Sequence, residues 1–345
     1  MASADHSPGS PRDRLGRPLR ELRISVTDRC NFRCGYCMPA DVFHEGYRFA
    51  PREDILSFEE ITRLTGLCAQ RFGLRKLRLT GGEPLTRRHL PRLIEMLAAV
   101  AGDAELALTT NGALLAVQAE ALKRAGLTRV TVSLDAVDDD TFRRCSGGRG
   151  ELRPVLAGIE AAAAAGLAPL KVNCVVQRGL NEHAVEGLAQ HFRGSGVIVR
   201  FIEFMDVGTL NRWQAGAVIE AAEIRRRLST VAGLEPLPPQ HRGEVAERFA
   251  FRDGSLEVGI IASVSQPFCR DCSRARLSAD GRLLHCLFAQ DGLDLRTPLR
   301  AGASDAELLS LMTESWQARE DRYSELRAEV GEGGRRRLEM YQVGG

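Results

Sequence analysis

Three features are missing from this sequence of 345 residues, and each absence excludes a class of protein. No apolar run approaches the roughly 18 residues that cross a bilayer, so the sequence predicts no membrane-spanning helix. Residues 1–20 lack the apolar core of a signal peptide and are rich in Ser, Pro, Gly and Arg, which predicts a disordered extension on a cytoplasmic protein. An excess of one charge is missing too, because 47 Lys and Arg nearly balance 45 Asp and Glu, so a general nucleic-acid binder is not expected.

Cysteine is present nine times, and reduced thiols in the cytosol favour metal or redox chemistry over disulfides. The first set is Cys30, Cys34 and Cys37, a C-x3-C-x2-C run that directly follows the alternating segment 22–27. Three thiolates on one loop can hold three corners of a [4Fe–4S] cluster and leave the fourth iron open to another ligand. The alternatives are a structural zinc site, which this spacing matches poorly, and cysteines that only fill space in a core.

A second set, Cys269, Cys272 and Cys286, lies far along the chain. Its C-x2-C opening suits zinc as well as iron, and His285 could supply a fourth ligand, so spacing by itself favours zinc slightly. The remaining cysteines stand singly in helix-like or strand-like surroundings and are interpreted as filler: Cys68, Cys145 and Cys174.

Short β-rich segments alternate with helical segments from residue 22 onward. Six such units predict a parallel sheet with right-handed crossovers. The predicted strands are 22–27, 76–80, 105–110, 129–135, 170–176 and 197–204, and the predicted helices include 89–101, 114–125, 155–165 and 182–192.

The predicted strands alternate polar and apolar residues, although parallel strands covered by helices are usually apolar on both faces. In one strand Lys76, Arg78 and Thr80 alternate with Leu77 and Leu79. A sheet that curls into a partial barrel places such a polar face in a lumen, where a charged ligand satisfies it. The alternative is an antiparallel sheet with one wet face, which the intervening helices disfavour. We therefore predict an α/β fold with a partial (βα)6 TIM-like barrel over residues 21–215.

The regular alternation ends after residue 204. This predicts a smaller C-terminal α+β domain, residues 216–338, that closes the barrel, followed by a tail of residues 339–345. The expected elements are a helix at 221–229, a Pro-rich linker at 236–239, a strand at 256–262, a hairpin of 276–278 and 282–284, and helices at 305–317 and 321–330.

A glycine-rich turn follows the second predicted strand, at the edge where a barrel displays its active site. Gly81, Gly82 and Glu83 form its centre. Glycines there let the backbone approach a ligand closely, although the same residues could form an ordinary turn.

The first cysteine set, with Tyr36 before its last cysteine, resembles the radical S-adenosylmethionine (SAM) superfamily, in which the open iron chelates SAM. Over nearly all of residues 20–345 the chain resembles one family of it, the GTP 3′,8-cyclases or molybdenum cofactor biosynthesis A proteins. The motifs that carry this resemblance are TDRCNFRCGYCMP at 27–39, TGGEP at 80–84, TTNG at 109–112, VSLDA at 132–136, RFIEFM at 200–205, CRDCSRAR at 269–276 and the terminal Gly344-Gly345.

The resemblance implies a [4Fe–4S] cluster on each cysteine set, which overturns the slight preference for zinc at the second. The implied SAM contacts are Tyr36, Gly82, Ser133 and Met205. The implied GTP contacts are Arg23, Arg78, Thr109, Lys171, Arg274, Ala275 and Arg276. The implied catalytic residues are Arg274, Arg276, Gly344 and Gly345, the last two in a tail that inserts into the active site.

The implied activity is that of a radical SAM lyase. A 5′-deoxyadenosyl radical takes the 3′ hydrogen of the GTP ribose, and the ring closes onto guanine C8. The product is (8S)-3′,8-cyclo-7,8-dihydroguanosine 5′-triphosphate, the first intermediate of molybdenum cofactor (molybdopterin) biosynthesis. The implied partners are a reductant or electron-donor protein, cyclic pyranopterin monophosphate synthase as the next enzyme, and a second copy in a homodimer, without nucleic acid or membrane.

The charges agree independently with a nucleotide substrate. Arg23, Arg78 and Lys171 come from separate strands with polar inner faces, and GTP carries about four negative charges that need such partners in a water-poor site. The alternative for each of them is a solvated surface charge. Two further basic residues could face either the lumen or the helices: Lys76 and Arg200.

Two other classes of protein remain as alternatives. A radical SAM protein that modifies peptides also has cysteines in its C-terminal domain, but more than three are expected there and the basic lumen would have no role. A binding module stabilised by two zinc sites would be colourless, whereas an iron–sulfur protein is brown.

The two cysteine sets give the first test. Changing Cys30, Cys34 and Cys37 to Ala should roughly halve the iron bound after anaerobic reconstitution, because each set supplies three thiolates to one cluster. The same change in the second set should have the same effect, and Cys68→Ala should have none. Iron per chain measures this, and a fully active wild-type protein with zinc on the second set would contradict it.

Overall fold

The computed structural model describes residues 9–330 and 337–344, and the strands in these residues form one sheet of twelve. In chain order they are β1 Glu21–Ser25, β2 Lys76–Thr80, β3 Glu105–Thr110, β4 Arg129–Ser133, β5 Lys171–Val176, β6 Ile198–Glu203, β7 Leu234–Leu237, β8 Glu247–Phe251, β9 Glu257–Ile261, β10 Arg274–Leu277, β11 Arg282–Leu284 and β12 Leu293–Asp294. Their order across the sheet is β12-β11-β10-β1-β2-β3-β4-β5-β6-β9-β8-β7.

The α-helices of the same residues are α1 Phe58–Phe72, α2 Leu90–Val100, α3 Ala119–Arg124, α4 Asp139–Cys145, α5 Leu152–Ala164, α6 Ala184–His191, α7 Ala221–Val231, α8 Arg296–Arg300, α9 Asp305–Gln317, α10 Tyr323–Val330 and α11 Met340–Val343. Helices α1 to α7 lie in the connections between β1 and β7, and α8 to α11 follow β12. Across the described ranges, every helix is too short or too polar to cross a membrane.

The strand pairing confirms the predicted core of six parallel βα units. Strands β1 to β6 lie side by side in chain order, and each is parallel to the next. Strands β2 and β3 have the predicted bounds, and the other four begin or end within two residues of them. The hydrophobic pattern was therefore sufficient to place this part of the fold.

The C-terminal strands extend this same sheet at both of its edges. Strand β9 pairs in parallel with β6, and β10 pairs in parallel with β1. Strands β8 and β7 continue antiparallel beyond β9, as β11 and β12 do beyond β10. Strand β7 occupies the predicted Pro-rich linker, where its outermost position tolerates Pro236, which has no N–H to donate.

The two faces of the sheet differ in polarity, as the alternation predicts. The apolar residues of β1 and β2 are buried under the helices: Leu22, Ile24, Leu77 and Leu79. The alternate residues Arg23 and Arg78 line a cavity on the opposite face. The polar face is thus an internal surface that only a polar ligand can satisfy.

The predicted disorder of residues 1–20 is wrong for residues 9–20, which are part of the fold. Arg12 and Pro18 form an antiparallel bridge, and Leu19 is buried. Asp13 and Arg17 form a buried ion pair with an Nε-to-oxygen distance of 2.6 Å. Composition indicates disorder here because it does not register a specific pairing of opposite charges. Residues 1–8 lie outside the described residues.

Glu203 joins the barrel to the C-terminal region at the end of β6. Its buried carboxylate accepts hydrogen bonds from the backbone N–H groups of Ala221 (2.7 Å), Val264 (2.7 Å) and Ser265 (2.8 Å). The first donor begins α7 and the other two follow β9, so one side chain fixes two segments to the end of β6.

Candidate active site

One cavity of about 670 Å³ lies on the polar face of the sheet and is lined by all six cysteines of the two sets. The first set leaves the C-terminal end of β1, whereas Cys269 and Cys272 precede β10, which runs parallel to β1. Arg274 pairs with Glu21 in this register, so the second set lies at the level where β1 begins. Five residues of strand span about 16 Å, which places the two sets at opposite ends of the cavity.

Cys286 joins the second set through the antiparallel strand β11. Arg276 of β10 pairs with Leu284 of β11, and continuing this register places Cys286 opposite Arg274, beside Cys272. The β10–β11 hairpin therefore brings together cysteines that lie 14 residues apart in the chain.

The loop of the first cysteine set is held by hydrogen bonds that leave its sulfurs on the cavity wall. The backbone N–H of Cys37 donates to the Cys34 carbonyl (3.0 Å), and Arg33 Nε donates to the Phe43 carbonyl (2.7 Å). The Phe32 N–H lies 3.4 Å from Cys30 Sγ, the kind of donor that stabilises a cluster thiolate. Burial raises the pKa of the Cys30 thiol to about 12, so metal loading must release a proton from it.

The glycine-rich turn packs directly on the first cysteine loop. A Cβ at Gly82 would collide with the Arg29 carbonyl, so only glycine allows this approach. Glu83 is buried and accepts hydrogen bonds from Thr110 Oγ1 and the Asn111 N–H, both at 2.7 Å, while burial raises its pKa to about 7. Glu83 therefore ties the ends of β2 and β3 together beneath the cysteine loop.

The four predicted SAM contacts all line the cavity: Tyr36, Gly82, Ser133 and Met205. The Tyr36 hydroxyl donates to Asp135 Oδ2 at 3.0 Å, and Asp135 Oδ1 accepts from the Val175 N–H at 2.9 Å. Burial raises the pKa of Asp135 to about 6. Asp135 is absent from the predicted site residues, although its motif at 132–136 was a signal that could have found it.

The second cysteine set combines buried thiols with nearby cations. Burial would raise the pKa of Cys272, but Arg274 and Arg319 outweigh it and lower this pKa to about 6. The Phe288 N–H lies 3.5 Å from Cys286 Sγ, which repeats the hydrogen bond at Cys30. Both sets thus offer three thiols and a backbone donor, a donor set that fits an iron–sulfur cluster.

The zinc alternative receives no support from the side chains around the second set. His285 packs edge-on against Trp316, with its Nε2 3.4 Å from Ser315 Oγ. In the described ranges no three His, Cys, Asp or Glu side chains form a group that could hold a metal ion. A structural zinc site gathers four ligands around one ion, whereas each thiolate of a cluster binds a separate iron.

The basic residues predicted to bind GTP line the wall between the two sets: Arg23, Arg78, Lys171, Arg274 and Arg276. Lys76 and Arg200 line it as well, so both face the lumen. Burial, with the neighbouring arginines, lowers the pKa of Lys171 to about 8 and that of Arg200 to about 9. Buried cations that disfavour one another's charge form a site that an anion stabilises.

Carboxylates hold part of this basic wall in place. Glu21 lies 3.0 Å from Arg23 Nε and 3.3 Å from Arg78 Nε. Arg78 Nη1 also donates to Thr109 Oγ1 at 3.0 Å, so Thr109, a predicted GTP contact, orients a cation of the wall. Glu105 lies 2.8 Å from Arg129, a cavity-lining residue absent from the predicted site.

Ala275 does not line the cavity, in contrast to its predicted contact with GTP. It lies between Arg274 and Arg276 on β10, and side chains alternate between the faces of a strand. Its methyl group is packed in the hydrophobic core, while both arginines enter the cavity. The three residues of this motif therefore lie on a strand, with only the first and the third directed into the cavity.

The C-terminal tail reaches the same wall. Arg276 Nη1 donates to the carbonyls of Gly344 and, at 3.2 Å, Val343. Gly344 is buried and has a φ of +72°. A Cβ there would lie 2.8 Å from Ser25 Oγ and would collide with Thr80. Gly345, the other predicted catalytic glycine, lies outside the described residues.

Two family models match the chain on either side of residue 195. The Radical SAM superfamily model matches residues 24–192, which contain the first cysteine set. The Molybdenum Cofactor Synthesis C model matches residues 197–325, which contain the second. The chain is therefore a radical SAM protein, and its cofactors are SAM and iron–sulfur clusters.

Curated relatives identify the family more closely. The GTP 3′,8-cyclase of Acidothermus cellulolyticus is 55% identical over 94% of this chain and 90% of its own length. That of Xanthomonas campestris is 52% identical over 99% of both chains, and that of Staphylococcus epidermidis is 41% identical over 96% of this chain and 98% of its own. The chain belongs to the GTP 3′,8-cyclase family.

A solved structure supports the fold. Streptococcus suis SuiB bound to S-adenosylmethionine superposes with a TM-score of 0.56 and 14% identity, over 78% of this chain and 60% of that one. At this identity the likeness concerns the architecture, and it confirms the radical SAM type of partial barrel.

The position of Gly344 gives the second test. Gly344→Ala should release the tail, because a side chain there meets Ser25 and Thr80 and forces an unfavourable φ. Such strain costs about 1–3 kcal/mol, so amides 340–344 should exchange hydrogen roughly 5- to 150-fold faster. Hydrogen exchange with mass spectrometry measures this.

Gly302→Ala is the matched control. Gly302 has a φ of +87°, but a Cβ there has no atom within 4 Å. This variant carries a similar backbone cost without the contacts and should leave the tail protected. Wild-type exchange at residues 340–344 in Gly344→Ala would show that the tail does not depend on this fit.

Proposed function

We propose that this chain converts GTP into (8S)-3′,8-cyclo-7,8-dihydroguanosine 5′-triphosphate, the first step of molybdenum cofactor biosynthesis. The observation that carries the proposal is a single cavity with a three-cysteine set at each end and a basic wall between them. Relatives named GTP 3′,8-cyclase, at 41–55% identity over nearly the full length, support it.

Each cysteine set holds one [4Fe–4S] cluster in this proposal. The ligands are Cys30, Cys34 and Cys37 at the end of β1, and Cys269, Cys272 and Cys286 beside the start of β10. SAM binds at the first set, against Tyr36, Gly82, Ser133 and Met205. When bound, the first cluster and SAM supply the radical chemistry that removes a ribose hydrogen, which amino-acid side chains cannot do alone.

The chain itself provides binding and orientation. Guanine binds toward the second set, where Arg274 and Arg276 enter the cavity, and the triphosphate binds the basic wall. Arg23 and Arg78 come from adjacent strands, so their guanidinium groups are fixed relative to each other and can bind phosphate oxygens in a defined direction. A ribose held between the two ends of the cavity is then positioned for a reaction within a single nucleotide.

The tail completes this arrangement. Arg276 is held by two backbone carbonyls of the tail, which fix its orientation toward the cavity, while burial and the neighbouring arginines lower its pKa and so favour a bound anion beside it. Gly344 fills space beside Ser25 and Thr80 at the end of the barrel that carries the first set. Arg274, Arg276 and the tail glycines Gly344 and Gly345 therefore act together in positioning GTP and excluding water.

Product analysis tests this function. Reconstituted protein is incubated anaerobically with SAM, GTP and dithionite, and the nucleotides are identified by mass spectrometry and NMR. We expect 5′-deoxyadenosine and the 3′,8-cyclised nucleotide in equal amounts. Cleavage of SAM without any change in GTP would contradict the proposal.

Further partners follow from the same proposal. Cleavage of SAM takes one electron, and the nucleotide radical left after ring closure takes a second electron and a proton, so a reductant or an electron-donor protein must supply both electrons. The unstable product is passed to cyclic pyranopterin monophosphate synthase. The working protein is a cytoplasmic homodimer, and size-exclusion chromatography with light scattering tests its subunit number.

Lys171 provides the test of the basic wall. Lys171→Ala should weaken GTP binding by about 1.5–3 kcal/mol, the scale of a hydrogen bond to a charged group, while SAM binding stays unchanged. Lys123→Ala is the control, because Lys123 lies on the surface and donates to the Gly166 carbonyl. Equal loss of GTP and SAM binding would contradict a specific contact between Lys171 and GTP.

The lowered pKa of Lys171 gives this test a pH dependence. Its ammonium group loses its charge as the pH rises through about 8, so wild-type affinity for GTP should fall between pH 7 and 9. Lys171→Arg keeps its charge over this range and should show a smaller fall. Calorimetric titrations at both pH values measure the difference, and identical profiles would contradict the assignment.

A further inference from the structure

Residues 9–20, here called the N-terminal strap, contact the second cysteine set from outside the cavity. The strap folds back through the bridge between Arg12 and Pro18, with Gly16 at a φ of +75° in its turn. The backbone N–H of Arg20 donates to the Ser273 carbonyl at 2.8 Å. The strap therefore runs directly along the segment that carries two of the three cysteines.

Asp13 is the centre of the strap, and its side chain is fully buried. Its Oδ1 accepts the backbone N–H groups of Leu15 (3.0 Å) and Arg17 (2.8 Å). Its Oδ2 accepts from Arg17 Nε at 2.6 Å and from Arg319 Nη1 at 3.4 Å. One carboxylate thus organises the turn and pairs with two buried guanidinium groups, of which Arg319 also has Asp321 Oδ2 at 3.5 Å from its Nε.

The same two arginines hold the cysteine segment by its backbone. Arg17 Nη1 donates to the Cys269 carbonyl at 2.8 Å, and Arg319 Nη1 donates to the Cys272 carbonyl at 2.8 Å. Arg17 also donates to the Asp321 carbonyl at 2.9 Å, which ties the strap to the segment before α10. Asp13 is therefore linked to two cluster cysteines through one residue each.

We propose that Asp13 is a positioning residue for the second iron–sulfur cluster, acting through Arg17 and Arg319 on the carbonyls of Cys269 and Cys272. This inference rests on the proposed function, in which the second set holds a cluster. A cluster site needs its thiolates held in place before loading, and residues that orient ligands without touching the metal control its occupancy. Two arginines can serve this role in a buried place only beside a matching anion.

Asp13→Asn tests the proposal with the smallest change in shape. The variant replaces Oδ2 or Oδ1 with an amide donor that faces other donors and removes the negative charge from two buried cations. We expect iron per chain to fall to about half after reconstitution, with the loss confined to the second set. SAM cleavage with dithionite as reductant needs only the first cluster and should continue. In the proposed function guanine binds beside the second cluster, so GTP should alter the EPR spectrum of the wild type and should no longer alter that of Asp13→Asn.

Two controls separate positioning from general stability. Arg14→Ala removes the exposed ion pair of Arg14 with Glu320 from the same strap and should keep iron at both sets. Leu308→Ala truncates a buried residue of α9 and should lower the melting temperature while leaving the side chains of Asp13, Arg17 and Arg319 in place. If stability were the whole effect, Leu308→Ala would lose second-set iron in the same proportion as Asp13→Asn.

The outcomes distinguish the two proposals. Selective loss of second-set iron in Asp13→Asn, with Leu308→Ala retaining both clusters, supports the positioning role. Two clusters with a normal GTP-dependent spectrum in Asp13→Asn overturn it and leave the proposed function intact. A variant with Cys269, Cys272 and Cys286 changed to Ala that still binds as much iron as the wild type would show that the second set holds no cluster. That result would overturn both proposals.

Discussion

A sheet with charged residues on its enclosed face is the constraint on which the rest of this molecule depends. Strands hold the positive charges of Arg23, Arg78 and Arg200 inside a cavity, and burial with the neighbouring arginines lowers the pKa of Arg23 to about 10 and that of Arg200 to about 9. Carboxylates such as Glu21 balance only part of this positive charge. A cavity with such a wall favours a bound anion, which agrees with the GTP binding proposed for it.

The two chain ends each fasten one cysteine set. The N-terminal strap backs the second set through Asp13. The C-terminal helix α11 lies against the loop of the first set, where Tyr341 packs on Phe43 and its hydroxyl lies 2.8 Å from that of Tyr47. Glu339 further anchors α11 by accepting the Thr209 N–H at 2.9 Å. Segments distant in the chain thus hold the loops that carry the metal ligands.

Sequence patterns predicted the features that come from a repeating arrangement of residues, but they did not predict the features that depend on a single contact. The six parallel strands and the polar lumen follow from periodicity, and the structure has them. The relation between the two cysteine sets was implied only by the resemblance to a known family. The packed strap was not predictable, because a single buried pairing of Asp13 decides it against a composition typical of disorder. Strand β7 was not predicted, because the prolines in and after it indicate a linker unless the strand is known to lie at the edge of the sheet. The inward position of Ala275 was not foreseen, because a motif does not show which face of a strand each of its residues takes.

The separation of the two cysteine sets explains why this fold needs strands from its C-terminal region. The loops of a parallel barrel place active-site groups at the C-terminal ends of its strands, which is where the first set lies. Strand β10 enters the sheet beside β1 in the same direction, so the segment before it reaches the opposite end of the cavity. The antiparallel strand β11 then returns Cys286 to that end. A barrel extended in this way has room for one elongated ligand between the two cysteine sets, and the basic wall between them favours an anion.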